Sequence, residues 1–386
     1  MSEHDESLDG PWRTIVRPGD EPVGNRQFGE FGSIALEVGR TPWGDHLPVT
    51  MCFETWGSLA PDASNAVLVL HGFTADSHAA GPAGAGHPEV GWWDSVIGPG
   101  QWIDTNRWFV VCPNVLGGCQ GSTGPASIAS DGRPWGSRWP VTTIRDMVSA
   151  EQLLADHLGI ATWHAVVGMS LGGMRALEWA IGSPERVRRA IIIGVGAQAT
   201  AEQIALQSIQ MRSITEDPAW NEGDYYDVGD GRGPVQGMAQ ARRLGHITYR
   251  SELELHQRFG NRPHQHETPL GPDRKGRYGV ESYLDHAAYR LERRFDPNTY
   301  LAINEAMNHH DVGRGRGGVH AAMQLITAVM TIVGLEGDRL YPIRLQRELA
   351  FHTHKPLETV HSITGHDAFL IEDKLTGDIV KRALEH

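Results

Sequence analysis

The chain has 386 residues, of which 40% are hydrophobic and 21% are charged, a composition typical of globular proteins. Its length suffices for one large domain with an insertion or for two domains. The net charge of −13 argues against nucleic acid or an anionic membrane as a partner, and the three cysteines lack the spacing of a disulfide framework or a zinc site.

Residues 1–30 carry many charges together with glycine and proline, which predicts an extended N-terminal arm. The first ten residues lack the basic and apolar regions of a signal peptide. The most apolar long segment, 321–335, is too short and too polar to span a bilayer. We therefore expect a cytoplasmic protein that does not insert into membranes.

Apolar runs then alternate with turns and helical patterns. Runs at 34–38 and 48–53, separated by turn residues, predict a hairpin. A fully apolar run at 66–70 and largely apolar runs at 108–112, 164–167 and 189–194 predict buried strands, and 142–158 has helical spacing. This order predicts an α/β fold with a mostly parallel sheet flanked by helices.

The pattern changes after residue 200. Between 200 and 311 there are helical patches joined by polar loops, at 201–212, 235–244, 251–259, 281–294 and 300–308. Strand patterns return at 328–334 and 357–363, before a final helix at 371–384. We therefore predict a core formed by 31–199 and 312–386, with 200–311 inserted as a helical lid.

A strand-to-helix junction carries the sequence Gly168-Met169-Ser170-Leu171-Gly172. This is the G-x-S-x-G pattern of a nucleophile elbow, in which a strained turn lifts the serine hydroxyl above the sheet. The N-terminus of the following helix would favour negative charge beside that hydroxyl. Ser170 is therefore a candidate nucleophile.

Asp338 and His366 complete a possible triad, because each follows a predicted strand and the order Ser, Asp, His is that of α/β-hydrolases. His366 would accept the Ser170 proton, and Asp338 would orient and stabilise the imidazole. Glu336 and His361 remain nearby alternatives.

Two backbone N–H groups are candidates for an oxyanion hole, that of Leu171 after the nucleophile and that of Phe73 after the strand at 66–70. Histidines at 264, 266, 309 and 310 lack the spacing of metal ligands, so we expect loop histidines and no metal site.

Several longer motifs occur together with this triad, at 91–94, 97–100, 114–125, 143–147, 241–250, 281–284, 294–296, 310–318 and 365–370. In combination they resemble the homoserine O-acetyltransferases of the α/β-hydrolase superfamily, over about residues 50–375. The resemblance implies transfer of the acetyl group of acetyl-CoA to L-homoserine in methionine synthesis. It also implies a ping-pong mechanism through acyl-Ser170, no bound cofactor and a homodimer that contacts through its lid.

The same resemblance implies roles for lid and core residues. Arg242 would pair with the homoserine carboxylate, Tyr249 would line that pocket and Asp367 would hold the ammonium. A bidentate guanidinium suits a carboxylate, although adjacent Arg243 is an alternative. Residues 314 and 316, both arginine, would either meet the phosphates of CoA or belong to a structural loop.

The elbow and the first oxyanion loop depart from the family pattern. Leu171 replaces the usual methionine, which a backbone donor tolerates, whereas Phe73 beside the acyl group affects the preferred acyl size. The alternatives are succinyl transfer to homoserine, acyl transfer to serine and simple ester hydrolysis. A non-catalytic binding protein of this fold is expected to have lost a triad member.

Overall fold

The computed structural model describes residues 15–20, 23–227, 233–272 and 275–386. Ten strands lie within these residues: β1 Gln27–Ala35, β2 His46–Trp56, β3 Ala66–Leu70, β4 Ile97–Gly98, β5 Ile103–Asp104, β6 Phe109–Pro113, β7 Ala165–Met169, β8 Arg189–Ile193, β9 Val329–Leu335 and β10 Leu357–Val360. Eleven α-helices accompany them: α1 Ile144–His157, α2 Leu171–Gly182, α3 Ala201–Thr215, α4 Val235–Tyr249, α5 Glu252–Phe259, α6 Gly279–Glu292, α7 Pro297–Asn308, α8 Val319–Met323, α9 Ile343–Thr353, α10 Ala368–Ile371 and α11 Asp373–Glu385.

Eight strands form one sheet in the order β1-β2-β6-β3-β7-β8-β9-β10, and β4 pairs with β5 separately. From β6 to β10 every neighbouring pair is parallel, whereas β2 is antiparallel to both β1 and β6. All residues of β3 and β7 are buried, as expected for central strands covered on both faces. The α/β fold with a mostly parallel sheet is therefore confirmed.

The first strand differs from the predicted hairpin. β1 begins at Gln27, inside the predicted arm, and pairs with β2 across a register shift between Glu30 and Ser33. Residues 1–14 and 21–22 of that arm lie outside the described residues. The sequence hid this strand because an edge strand exposes one face to water and tolerates glycine and charged residues.

Helices join β8 to β9. We call α3 to α7 the inserted helices; they overlap all five predicted helical patches. Thr200 caps α3 through a reciprocal capping box with Gln203, which starts the insertion directly after the sheet. The C-terminal prediction was imprecise, because β10 ends at Val360 and Glu372 interrupts the expected final helix between α10 and α11.

A buried ion pair joins two helices on one face of the sheet. Arg175 of α2 donates to Glu151 of α1 at 2.6 Å, and both side chains are inaccessible to water. The indole of Trp179 donates to the other Glu151 oxygen at 2.7 Å. These bonds satisfy two charges that would otherwise be costly to bury, and they fix α2 against the core.

The three cysteines, Cys52, Cys112 and Cys119, are free and buried. Burial raises the pKa of the Cys52 thiol to about 12 and that of the Cys119 thiol to about 12. Separately, none of the helices in the described part of the chain has the length and apolar composition needed to cross a membrane.

Candidate active site

Ser170 lies at the junction of β7 and α2 with a positive φ of 53° and ψ of −123°, a backbone conformation that non-glycine residues rarely adopt. The turn is tight on both sides. A Cβ atom on Gly168 would lie 2.0 Å from the Gly172 oxygen, and one on Gly172 would lie 1.9 Å from the Leu70 oxygen. Only glycine fits at these two positions, and the surrounding sheet holds the strained serine in place.

The three predicted triad residues meet above the carboxyl ends of the strands. His366 Nε2 is 2.9 Å from Ser170 Oγ, and His366 Nδ1 is 2.7 Å from Asp338 Oδ2. The other oxygen of Asp338 accepts two bonds from the backbone N–H groups of Leu340 and Tyr341, each at 2.8 Å. The hydrogen bonds thus fix the carboxylate, which in turn orients the imidazole.

Two opposing effects set the pKa of His366. Burial lowers it, whereas the charge and hydrogen bond of Asp338, with the more distant charge of Asp367, raise it above the ordinary 6.5. Asp338 thus stabilises the protonated imidazole, the form that His366 takes after it accepts the serine proton.

The two alternative residues are paired elsewhere. Glu336 Oε2 and His361 Nδ1 are 2.8 Å apart, with 61% and 74% of their side chains exposed. They form a surface pair and do not contact Ser170. Glu336 and His361 therefore take no part in the buried, hydrogen-bonded group of Ser170, His366 and Asp338.

The predicted oxyanion loop lies beside the nucleophile, since a Cβ atom on Gly72 would be 3.9 Å from Ser170 Cβ. His71 Nδ1 lies 2.7 Å from the Gly72 oxygen. In a trans peptide the carbonyl and the next N–H point in opposite directions, so this bond turns the Phe73 N–H away from His71. Within the described residues neither the Phe73 N–H nor the Leu171 N–H donates a hydrogen bond.

His71 is a residue whose part in this geometry the sequence did not reveal. Its Nε2 accepts from the Val115 N–H at 3.1 Å, and its carbonyl accepts from Arg175 at 2.8 Å. Burial and the Arg175 charge lower the pKa of His71 to about 3. The ring is therefore neutral, with its proton on Nδ1, and connects the oxyanion loop to Val115, whereas the His71 carbonyl connects the loop to α2.

A cavity of about 100 Å³ opens at Ser170 and His366. A water-sized group needs roughly 12 Å³ by this measure, so the cavity admits a small molecule. The inserted helices supply its polar wall, formed by Gln207, Gln210, Thr248, Tyr249 and Asn304. The rest of the lining includes Phe73, Trp92, Tyr341, Asp367 and Phe369.

The predicted substrate residues surround this cavity unequally. Tyr249 and Asp367 line it, whereas Arg242 does not; the Arg242 guanidinium lies 5.5 Å from the Tyr249 ring centroid. Among the residues described, Nε and Nη1 of Arg242 are buried without a hydrogen-bond partner. Arg243 instead pairs with Asp285 at 2.9 Å, which leaves Arg242 as the available cation.

Asp367 already has a charged neighbour, because its Oδ2 is 3.2 Å from Arg250 Nε. Burial raises the pKa of Asp367, while the charges of Arg250 and His366 oppose that shift. Its carboxyl thus lies at the cavity with 17% of the side chain exposed and one arginine beside it.

The two arginines considered for CoA phosphates are engaged within the fold. Arg314 pairs with Glu37 at 3.1 Å, and Arg316 forms a bidentate pair with Glu178. These contacts assign both side chains to a structural loop.

Three possible metal ligands, Glu54, His78 and His87, lie within 4.8 Å of one another. The two imidazoles are stacked at 3.7 Å with an interplanar angle of 11°. Imidazole lone pairs lie in the ring plane, so two parallel rings cannot aim at one ion. Glu54 Oε2 is 3.0 Å from His78 Nδ1, and Asn25 N–H donates to His87 Nε2 at 3.0 Å. The geometry of this cluster therefore suits a structural role better than metal binding.

Two of the four predicted loop histidines have internal partners. His264 Nε2 lies 3.3 Å from Ser282 Oγ. His310 Nε2 lies 2.9 Å from the Gly196 oxygen, and burial lowers the pKa of His310 to about 4. His310 is thus a neutral interior residue.

Comparison with known proteins agrees with this architecture. The family described as the alpha/beta hydrolase fold matches residues 65–370. A homoserine O-acetyltransferase of Mycolicibacterium smegmatis is 49% identical over 384 residues, covering 99% of this chain and 98% of the relative.

Two solved structures extend the comparison. Homoserine O-acetyltransferase from Bacillus anthracis has a TM-score of 0.84 at 28% identity, covering 94% of this chain and 97% of its own. Esterase E22 has a TM-score of 0.81 at 27% identity, covering 93% of this chain and 99% of its own. Sequence identity close to one half over nearly the full length decides between these two relatives, since both share the fold. The chain therefore belongs to the homoserine O-acetyltransferase family of the α/β-hydrolase fold.

Proposed function

We propose that this protein transfers the acetyl group of acetyl-CoA to the side-chain hydroxyl of L-homoserine, giving O-acetyl-L-homoserine for methionine biosynthesis. One observation carries the proposal. The hydrogen-bonded chain Ser170–His366–Asp338, with distances of 2.9 and 2.7 Å, lies at a small cavity in a chain nearly half identical to a homoserine O-acetyltransferase. Acetyl-CoA is a cosubstrate in this scheme, and no resident cofactor takes part.

The first half of the reaction forms an acyl-enzyme. His366 Nε2 accepts the proton of Ser170 Oγ as this oxygen attacks the thioester carbonyl. The N–H groups of Phe73 and Leu171 donate to the tetrahedral oxyanion. The C–S bond then breaks, and the departing sulfur takes the proton from His366, which leaves acetyl-Ser170 and free CoA.

The second half of the reaction uses the same groups, with the homoserine hydroxyl as the nucleophile and Ser170 as the leaving group. His366 removes the proton from the homoserine hydroxyl, which attacks the carbonyl of acetyl-Ser170. The same two N–H groups stabilise the oxyanion. Ser170 leaves, recovers its proton from His366, and O-acetyl-L-homoserine departs. This order of events makes the mechanism ping-pong.

Recognition of the acceptor comes from the inserted helices and the loop after β10. Arg242 pairs with the substrate carboxylate, Tyr249 lines the pocket, and Asp367 attracts the ammonium. Nε and Nη1 of Arg242, which are buried without hydrogen-bond partners among the described residues, support this assignment, because buried donor groups are normally satisfied.

The inserted helices also act as a lid that excludes water from the acyl-enzyme. A second copy of the chain packs against this lid in a cytoplasmic homodimer. Exposed apolar side chains of α3, Ile204 and Ile209, at 41% and 55% exposure, support such a contact.

Ester hydrolysis is the second candidate, because esterase E22 superposes almost as well as the acetyltransferase. Succinyl transfer is disfavoured by Phe73, which packs on Tyr300 at 4.6 Å between ring centroids and on Phe295 at 6.0 Å. Held from two sides, this ring keeps the acyl site small. Acyl transfer to serine differs only in the length of the acceptor.

The test is incubation with acetyl-CoA or succinyl-CoA, with L-homoserine, L-serine or neither, while free thiol and intact mass are followed. We expect homoserine-dependent thiol release with acetyl-CoA and a mass increase of one acetyl group. Ser170→Ala abolishes both. Ser183→Ala is the matched control, since both serines are 7% exposed and flank α2. Without homoserine, the mechanism gives about one equivalent of thiol per active site, from formation of acetyl-Ser170. Continued, multiple-turnover release without homoserine would instead assign a hydrolase, and release unaffected by Ser170→Ala would refute the mechanism.

A further inference from the structure

Two buried amides on different inserted helices face the cavity with free hydrogen-bonding atoms. Asn304 of α7 is 1% exposed and Gln207 of α3 is 6% exposed, and both line the cavity. Across the described residues, Gln207 Oε1 and both amide atoms of Asn304 lack a hydrogen-bond partner. Buried polar groups are normally satisfied, so three free atoms around one cavity point to a missing ligand.

Neighbouring groups do not fill this need. The Tyr300 hydroxyl interacts with the Asn304 amide but makes its short hydrogen bond to Gln210 Oε1, at 2.5 Å. The free atoms of Asn304 do not depend on which way its amide is placed, because oxygen and nitrogen are both unpartnered within the described chain. Gln207 and Asn304 therefore each present a carbonyl oxygen to the cavity, and Asn304 also presents an amide N–H.

We propose that Gln207 and Asn304 form an amide pair that accepts hydrogen bonds from the α-ammonium of the acceptor amino acid. An ammonium has three N–H donors and no acceptor, so it needs three oxygens in a dry site. Asp367 supplies one, but Arg250 at 3.2 Å already draws on its charge. The amide pair supplies the others without adding a second buried carboxylate.

This inference rests on the proposed transfer to homoserine and specifies how the acceptor is selected. A site built to bind an N–H group strongly disfavours an analogue that lacks it, because the acceptor atoms then stay buried and unpaired. The amide pair therefore makes the enzyme select zwitterionic alcohols over simple alcohols and water.

The experiment compares L-homoserine with 4-hydroxybutanoate, which keeps the hydroxyl and carboxylate and lacks the ammonium. The variants are Asn304→Leu and Gln207→Met, which nearly conserve shape. Asn308→Leu is the control, because Asn308 lies one turn further on α7 and is absent from the cavity lining, and its Oδ1 is likewise unpartnered among the described residues.

We expect each cavity variant to lower kcat/KM for L-homoserine by about tenfold to a hundredfold, the effect of losing a hydrogen bond to a charged group. The value for 4-hydroxybutanoate should stay within about threefold, and the rate of acetyl-enzyme formation should not change. Asn308→Leu should leave the discrimination between the two acceptors unaltered. An equal fall for both acceptors, or no fall for either, would overturn the amide pair.

Calorimetric binding to Ser170→Ala protein separates this inference from the proposed function, because it needs no acetyl transfer. L-homoserine should bind about tenfold more weakly when Asn304→Leu or Gln207→Met is added, whereas 4-hydroxybutanoate should not. Loss of this difference refutes the amide pair even if acetyl transfer occurs. If the binding difference persists in a protein that has no transferase activity, only the proposed reaction is refuted.

Discussion

The floor and the wall of the cavity differ in how completely their polar atoms are satisfied. On the floor, at the strand ends, both oxygens of Asp338 and both nitrogens of His366 have partners at 2.7 to 2.9 Å. On the wall, in the inserted helices, Gln207 and Asn304 keep buried atoms without partners among the residues described, as does Arg242 beside the wall residue Tyr249.

The contrast teaches that reaction and recognition are prepared differently. Groups that move protons must be held in place before the substrate arrives, and the sheet provides that rigidity. Groups that recognise a substrate keep their bonding capacity free until it binds. Changes to the floor should therefore damage rate and stability, whereas changes to the wall should damage acceptor binding alone.

The largest effect is expected for Asp338→Asn. The uncharged amide is a weaker hydrogen-bond acceptor for the Nδ1–H group than the carboxylate, so the imidazole no longer favours the tautomer that the reaction needs. It also leaves the developing imidazolium without a negative charge to stabilise it. We expect kcat to fall by about 10⁴-fold with little change in the KM for homoserine. Steady-state kinetics measures this, with Glu336→Gln as the control that should retain activity. Comparable losses in the two variants would contradict the assignment.

Removing one partner of the buried ion pair should damage the floor through stability. Arg175→Met leaves Glu151 as an uncompensated buried charge, which is expected to lower the free energy of unfolding by about 3–5 kcal/mol. Denaturant unfolding measures it. In the double variant with Glu151→Gln, the loss should be partly recovered, since glutamine still accepts from Trp179. A loss below about 1 kcal/mol in Arg175→Met would show that the pair does not hold α2.

Arg242→Met, in the inserted helices, should have the opposite effect to Arg175→Met: it should impair the use of homoserine and leave stability unchanged. Loss of the substrate carboxylate contact is expected to lower kcat/KM for homoserine by about a hundredfold, without lowering the thermal midpoint, because the guanidinium has few bonds to lose. Arg243→Met, which breaks only the half-exposed pair with Asp285, serves as the control for both measurements. A destabilised Arg242→Met protein with unchanged homoserine kinetics would make Arg242 a structural residue.

The smallest effect concerns pH. The base form of His366 is neutral, so activity should rise with pH through its pKa, and that pKa lies above the ordinary 6.5. Asp367→Asn removes one of the charges that raise the pKa and should move the acid limb of kcat/KM to lower pH. Asp338→Asn should move it further, because its charge and hydrogen bond contribute more. A limb that shifts to higher pH in either variant would contradict this account.

Much of the floor was predictable from sequence. Apolar runs that end at Ser170, near Asp338 and near His366 indicate parallel strands, whose carboxyl ends must share one edge of the sheet. Glycine at 168 and 172 marks the turn between strand and helix. Local pattern and topology were therefore sufficient to assemble these three side chains.

The wall was less accessible to such reasoning. Gln207 and Asn304 belong to helices far apart in the chain, and helical periodicity predicts neither how α3 meets α7 nor which polar residue faces inward. Arg175 and Glu151 are charged, so composition favours the surface for both, yet packing places them in the core. Most of β1, residues 27–33, was missed for the opposite reason, because this exposed segment carries no continuous apolar pattern.

The buried cysteines bear on any colorimetric measurement of this enzyme. At the mildly alkaline pH used with chromogenic disulfides, thiols with a pKa of about 12, such as Cys52 and Cys119, supply almost no thiolate. Cys112 is equally inaccessible, and burial raises the pKa of its thiol as well. The thiols of the native protein therefore contribute almost no colour, and the colour that develops reports released CoA alone. The same inertness protects these cysteines from exchange with the disulfide form of CoA.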